Sequence, residues 1–438
     1  MDVDVVVIGM GPGGEEVAGS LAEAGLNVVG VETNLVGGEC PYWACIPSKA
    51  MVRAADVLAE GRRIPGTAGT AVIEPTWAKV AGRVEEVTAG WDDTAAVERF
   101  TAKGGRLVRG KGRITGHKEV TVGEEVFRAR RGVVVATGTA PAVPPIDGLK
   151  GTPYWTNHEA IEAKELPESL IVLGGGAVGC ELAQVFARFG SRVTVIEAAP
   201  RLLALEEPES SDLLHRTFAG EGIDVRCDAE AEQVRHDGGG FVVNGELRAE
   251  RLLVAAGRRT NLEDLGLGAV GLEENARFIE VDERMRAADG VWAVGDVTGR
   301  GAFTHVAVYQ GRVATKDILG ADGAPADYRA LPRVTFTDPE IGAVGLIERQ
   351  AREKGLDVRV YVTDLASNTR GWLHRAEGFL KLVESDGRLV GATAAGPLGG
   401  EILGALAVAV HGEVPVQRLR EMIYAFPTFH RALDAALH

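Results

Sequence analysis

Four residues separate Cys40 from Cys45 in the stretch "GGECPYWACIPSKA", residues 37–50. Three chemistries use so close a pair: a structural cross-link, half of a metal site, or a thiol–disulfide redox centre. A cross-linked scaffold belongs to small secreted domains, and four cysteines in 438 residues is far from that density. A metal site needs two further Cys or His ligands at suitable spacing. Cys180 and Cys227 offer no such motif; they fall in a predicted helix and strand and read as core residues. The redox reading fits the neighbours best. "IPSKAMVRAADVLAE" reads as a helix with Pro47 near its first position. A cysteine at a helix N-terminus meets the positive end of the dipole, which favours thiolate. Lys49, one turn in, adds positive charge. Thiolate is the form that attacks a disulfide and donates charge to an oxidised ring.

A redox pair needs an electron carrier, and two segments are built to hold one. "VDVVVIGMGPGGEEVAGSLAEAGLNVVGVE" reads as strand, glycine turn, helix, strand, with Gly9, Gly11 and Gly14 in G-x-G-x-x-G register and Glu32 at the end. "SLIVLGGGAVGCELAQVFARFGSRVTVIE" repeats the pattern with Gly174, Gly176, Gly179 and Glu197. In both, the glutamate stands 23 positions after the first glycine. The first glycine allows the tight turn, the second lets the backbone approach a pyrophosphate, and the third packs helix on strand. The helix N-terminus offers free N–H groups to the phosphates, and the glutamate can accept from ribose hydroxyls. Each unit has a later apolar strand that ends in small residues, Ala136-Thr137-Gly138 and Ala255-Ala256-Gly257, where chain or cofactor can pass closely. Two such units imply two dinucleotides.

The whole chain is compatible with this. Its length suggests two to four domains at about 100–200 residues each. Hydrophobic residues make up 45% and charged residues 25%, ordinary for a soluble globular protein. A formal net charge of −15 argues against a nucleic-acid surface. No apolar run approaches the roughly 20 residues of a membrane span, and the N-terminus lacks the basic region and cleavage site of a signal peptide. The expectation is a cytoplasmic enzyme with neither nucleic acid nor membrane as partner.

These features together resemble the class I flavoprotein (pyridine nucleotide) disulfide reductases, the family of dihydrolipoamide dehydrogenase, glutathione reductase and mercuric reductase. "GGECPYWACIPSK" is similar to the family's G-G-T-C-x-N-x-G-C-I-P-S-K. "GVWAVGDVTG" (290–299) resembles its second FAD motif, and "FTHVAVYQGRVA" the flavin-flanking helix. "LPRVTFTDPEIGAVG" (331–345) and "NTRGWLHRAEGFLKLV" (368–383) resemble parts of its dimerisation domain. The resemblance implies an α/β protein of two Rossmann-like dinucleotide-binding domains plus a C-terminal α+β dimerisation domain. FAD would bind 1–147 with 261–330, through Gly9, Gly11, Gly14, Glu32, Lys49, Gly138 and Asp296. NAD would bind 148–260, through Gly174, Gly176, Gly179, Glu197 and Gly257. Residues 331–438 would form a homodimer interface. Cys45 would be the flavin-proximal thiol and Cys40 the interchange thiol, with Lys49 paired to Glu181 near the flavin. The substrate would be a small or tethered disulfide or dithiol.

The chain departs from the family pattern twice. Pro41-Tyr42-Trp43-Ala44 brings two aromatics between the cysteines, where they either reshape the pocket or pack the loop. In the closing "YAFPTFHRALDAALH", Phe426 takes the position of the family's acid–base His, and Arg431 that of its Glu. A phenyl ring moves no proton. His430 lies one turn on if the segment is helical, where it can stand in as base. Otherwise a quinone or metal ion is the alternative acceptor. Glu197, followed by Ala198 and Ala199, favours NADH over NADPH, while Arg192 and Arg201 leave NADP open.

Overall fold

Val3, Val5, Val6 and Val7 are all fully buried, so strand Asp2–Ile8 is covered on both faces, as in a parallel α/β sheet. It pairs in parallel with Val28–Glu32 on one side and Glu125–Val135 on the other. The chain therefore builds outward through Val28–Glu32 and Arg106–Arg109, then returns to the opposite flank with Glu125–Val135 and Val291–Ala293. Strand order reverses at Asp2–Ile8. In such sheets ligands bind outside the strands' carboxyl ends at this point of reversal, and Gly9 is the residue there.

The computed structural model describes residues 1–438. Its first compact unit takes Met1–Pro47, Gly82–Ala142 and Arg258–Asp327, and contains this eight-stranded sheet. The second takes Ser48–Ala81, Val143–Gly257 and Tyr328–His438. It contains a four-stranded parallel sheet ordered Asp224–Arg226, Arg192–Ile196, Ser169–Leu173, Arg251–Val254. Here order reverses at Ser169–Leu173, with Gly174 at its end.

The same unit holds a five-stranded antiparallel sheet, in the order Pro332–Thr335, Glu340–Gly345, Arg388–Gly396, Phe379–Ser385, Arg359–Asp364. Helix Gly399–His411 packs on it. Its buried Ile402, Leu403, Leu406, Ala409 and Val410 repeat at the spacing of one helical face.

The two cysteines fall on helical structure: Cys40 on the single turn Glu39–Tyr42, and Cys45 as first residue of the 19-residue helix Cys45–Arg63, termed the cysteine helix below. No helix is long and apolar enough to cross a membrane, and no group of three or more His, Cys, Asp or Glu is placed to hold a metal ion.

The third glycine of each turn has no room for a side chain. A Cβ at Gly14 would overlap the carbonyl oxygen of Gly9, and one at Gly179 that of Gly174. Gly179→Ala is expected to cost about 1–3 kcal/mol, the range for overpacking, and to weaken binding of a dinucleotide at that turn. Thermal melting and a binding titration check this; both unchanged would mean the turn relaxes freely.

Candidate active site

Each glycine turn is knitted by its own glutamate. Glu32 accepts the Met10 N–H at 2.7 Å on one carboxylate oxygen and the Asn34 N–H at 2.8 Å on the other. Glu197 accepts the Gly175 N–H at 2.5 Å and the Ala199 N–H at 2.7 Å. The matched spacing thus has a structural cause besides ribose binding: each carboxylate pins the turn it follows. A carboxylate has about four acceptor sites, so each retains capacity for ribose hydroxyls.

Gly9 (φ +95°) and Gly174 (φ +113°) adopt left-handed backbone against Ala136 and Ala255, respectively. A Cβ at Gly176 would meet nothing within 4 Å, and one at Gly11 only the Cα of Gly38 at 4.0 Å. Bare backbone therefore fronts both helix N-termini, Pro12–Glu23 and Ala177–Phe189, as a pyrophosphate requires. Gly138 (φ +64°) and Gly257 (φ +122°) are likewise open. Both turns fit a dinucleotide.

The cysteine loop lies against the first turn. Gly37 donates to the Met10 carbonyl at 2.7 Å. Gly38 has φ +64°, and a Cβ there would come within 2.9 Å of the Gly11 Cα. Cys40 and Cys45 are both half-buried. The Cys45 Sγ lies 3.4 Å from the Thr304 hydroxyl, and Thr304 is itself the first residue of helix Thr304–Leu319. Tyr42 packs the loop: it is buried and donates its hydroxyl to the Val36 carbonyl at 3.2 Å. Burial pushes its phenol pKa up. Trp43 is half-buried beside it, ring centroids 5.9 Å apart.

Asp296 accepts from the Thr139 hydroxyl at 2.6 Å. Arg258 donates to that hydroxyl at 2.7 Å and to the Thr139 carbonyl at 2.8 Å, and reaches Glu39 at 3.3 Å. Glu39, which precedes Cys40, is thereby linked to Asp296 through two residues that the sequence reading missed. The available signal was adjacency, since Thr139 follows Gly138 and Arg258 follows Gly257.

Lys49 and Glu181 come together at 2.7 Å. The Glu181 side chain is only 5% exposed, and its second oxygen accepts the Phe336 N–H at 2.9 Å. The Lys49 ammonium also sits 4.8 Å from the Phe336 ring centroid, within cation–π range.

The C-terminal segment corrects one expectation. Residues 424–431 are not helical; the last helix is Ala432–Leu437. Pro427 accounts for this, because a proline disfavours helical backbone at the residue before it, here Phe426. His430 is therefore not one helical turn from Phe426. It is half-buried, 3.5 Å from the Thr428 hydroxyl and beside the Tyr424 ring. Phe426 is 64% exposed, with the Arg431 guanidinium 5.3 Å from its ring centroid.

The two arginines near the second turn are engaged elsewhere. Arg201 donates to the carbonyls of Leu203, Ala204 and Glu206, and Arg192 pairs with Glu168. Cys180 is fully buried, which pushes its thiol pKa up. Cys227 lies just past strand Asp224–Arg226 and is half-buried rather than a core residue.

Two dinucleotide turns with a cysteine pair beside one of them define a flavoprotein oxidoreductase. The pyridine nucleotide-disulphide oxidoreductase family matches residues 3–311, and the family's dimerisation domain matches 331–437; the chain belongs to this family. It is an enzyme that binds FAD and NAD(P)H and acts on a sulfur group, in the α/β fold the sequence implied. A mercuric reductase of Acidithiobacillus ferrooxidans is 35% identical over 99% of this chain and 82% of its own length. A dihydrolipoyl dehydrogenase of Chlorobaculum tepidum is 34% identical over 99% and 96%. Among solved structures, the HOCl-induced flavoprotein disulfide reductase RclA of Escherichia coli superposes with a TM-score of 0.88 at 28% identity, covering 99% of both chains.

The Thr304 hydroxyl is placed to stabilise a Cys45 thiolate. Thr304→Val should slow alkylation of Cys45 by iodoacetamide in the reduced enzyme about tenfold, the weak end of a charge-assisted hydrogen bond at about 1.5–3 kcal/mol. Mass-spectrometric labelling rates measure this, and an unchanged rate would show that the hydroxyl does not act on the sulfur.

Proposed function

We propose that Cys40 and Cys45 form the redox disulfide of this enzyme, that NADH is the donor, and that the acceptor is a small or tethered disulfide. The observation that carries this reading is the placement of Cys45. Its sulfur sits at a helix N-terminus, against the Thr304 hydroxyl, with Lys49 one turn along the same helix. Cys40 lies on the preceding turn, suited to exchange with substrate. Bound flavin supplies a two-electron store between nicotinamide and cysteines. Gly9, Gly11, Gly14, Glu32, Gly138 and Asp296 hold it within 1–147 and 261–330, with Lys49 and Glu181 fixing a charge beside it. Gly174, Gly176, Gly179, Glu197 and Gly257 hold the nicotinamide dinucleotide within 148–260. Residues 331–438 pair two chains as a homodimer.

NADH follows from Glu197. Two backbone N–H groups fix its carboxylate, so a 2′-phosphate would meet a negative charge that cannot swing away. Arg192 and Arg201 are committed to other groups. We assign the proton for a departing substrate thiolate to His430, since Phe426 carries none. A second reading, a metal ion or quinone as acceptor, is favoured by Phe426 itself, because neither acceptor leaves a thiolate to be protonated by the protein.

Cys45→Ser should abolish the long-wavelength thiolate–flavin absorbance of the two-electron-reduced enzyme while Cys40→Ser keeps it; equal behaviour of the two variants would contradict the assigned roles. kcat/KM should favour NADH over NADPH by at least about tenfold, 1.4 kcal/mol of transition-state preference, and a preference for NADPH would overturn the reading of Glu197. In an acceptor panel of lipoamide, glutathione disulfide, coenzyme A disulfide, mercuric ion and quinones, His430→Ala should lower disulfide turnover at least about tenfold, the weak end of general acid–base catalysis. Turnover with mercuric ion or a quinone alone would favour the second reading.

A further inference from the structure

The Lys49–Glu181 ion pair is one of two between the same helices. Seven residues further along the cysteine helix, Asp56 meets Arg188 at 2.7 Å, and Arg188 lies seven residues beyond Glu181 on helix Ala177–Phe189. Equal spacing in the same order means that the two helices run side by side in the same direction. On each, the charges are separated by about 10.5 Å along the axis, at 1.5 Å per residue. The polarity is opposite in the two pairs: the cysteine helix carries plus then minus, its neighbour minus then plus. A slip by that spacing would set Asp56 against Glu181, like charge on like.

A third strand of contacts runs along the same face. Glu181, Gln184 and Arg188 lie at i, i+3 and i+7 of their helix, and all three hold residues 336–338. Glu181 accepts the Phe336 N–H at 2.9 Å. Gln184 accepts the Asp338 N–H and donates to its carbonyl, both at 2.8 Å. Arg188 reaches the Asp338 carboxylate at 2.8 Å. Arg63, the last residue of the cysteine helix, reaches that carboxylate at 2.6 Å, and Arg62 donates to the Arg188 carbonyl at 2.7 Å. The Arg188 side chain is 2% exposed and binds Glu221 as well at 2.6 Å.

We propose that Asp56 and Arg188 are positioning residues for Lys49: their ion pair sets the axial register of the cysteine helix on helix Ala177–Phe189, and so keeps the Lys49 ammonium on Glu181. The inference rests on the reading of Lys49 and Glu181 as part of the active site.

The protonation of Asp56 agrees with a role in placement rather than in stability. Burial raises its carboxyl pKa to about 6, with Arg188 opposing the shift and Asp338 and Glu340 adding to it; Arg53 on its own helix opposes it. The folded chain thus holds a proton that the unfolded chain has released between about pH 4 and 6. The group's contribution to stability falls as pH rises through about 6. At neutral pH the carboxylate is kept ionised at a cost. Glu340, which faces Asp56 from strand Glu340–Gly345, is also shifted up by burial and serves as the control.

The test uses the FAD-loaded enzyme and compares Asp56→Asn, Arg188→Lys, Glu181→Gln and the two doubles with Glu181→Gln. Flavin reduction by NADH is followed by stopped flow, and folding by thermal melting. Asp56→Asn and Arg188→Lys should each slow flavin reduction at least about threefold at pH 7.5, within the range for residues coupled through a backbone shift. In the Glu181→Gln background the same substitutions should change it less than about twofold, because the contact they position is already lost. The wild-type rate should fall toward that of Asp56→Asn as pH drops through about 6. That fall should persist in Glu340→Gln and be absent in Asp56→Asn.

A slowing that is undiminished in the Glu181→Gln background would overturn the proposal, as would a rate unaffected by either single substitution in folded enzyme. Should one of the two fail to fold, the other carries the same comparison. If Glu181→Gln alone leaves flavin reduction unchanged, the active-site reading of the Lys49–Glu181 pair fails. In that case the proposal is judged by Lys49 acylation, which should speed up in Asp56→Asn and Arg188→Lys; no change there overturns it.

Discussion

One buried carboxylate holds together the parts that matter. Glu181, almost wholly removed from water, accepts from Lys49 on the cysteine helix and from the Phe336 backbone at the start of the C-terminal segment. It belongs to the helix that opens on the second glycine turn. Removing one partner of such a pair strands a charge in the interior, at about 3–5 kcal/mol. The three elements therefore have to arrive together, and the residue that follows the second dinucleotide turn also sets the charge one helical turn from Cys45.

The two glycine turns show one solution used twice. In each, the strand's carboxyl end, a left-handed glycine and a bare helix N-terminus make an anion site out of backbone alone. In each, the glutamate that ends the next strand reaches back to one N–H of the turn and is itself held by the N–H two residues on. Recognition and rigidity are then the same feature. Under the proposed function, a carboxylate locked by backbone donors at the second turn would disfavour a 2′-phosphate.

What could be read from the amino-acid sequence was whatever is local or carried by a motif. Strand, turn and helix around Gly9 and Gly174 are written in the glycine motif and its glutamate, and the cysteine helix is marked by Pro47 near its first position. The Lys49–Glu181 contact came from family resemblance, since nothing in the spacing of residues 132 positions apart announces it. Thr139, Thr304 and Arg258 went unread because each is an ordinary polar residue until the fold brings it to Asp296 or Cys45. Asp56 and Arg188 went unread for the opposite reason: charges on a helix are most often a solvated face, and only the packing shows Arg188 buried with the half-buried Asp56 paired to it. Whether His430 lay one helical turn from Phe426 was left open by the sequence, and Pro427 decides it, because proline disfavours helical backbone at the residue before it.

The central claim is that electrons from nicotinamide pass beyond the flavin to the Cys40–Cys45 pair. Anaerobic titration of the oxidised enzyme with NADH, followed by flavin absorbance and by counting free thiols in the quenched protein, tests it most directly. The account predicts uptake of two hydride equivalents per chain, with two new thiols at Cys40 and Cys45 appearing with the first equivalent. Uptake of a single equivalent that bleaches the flavin and liberates no thiol would contradict it.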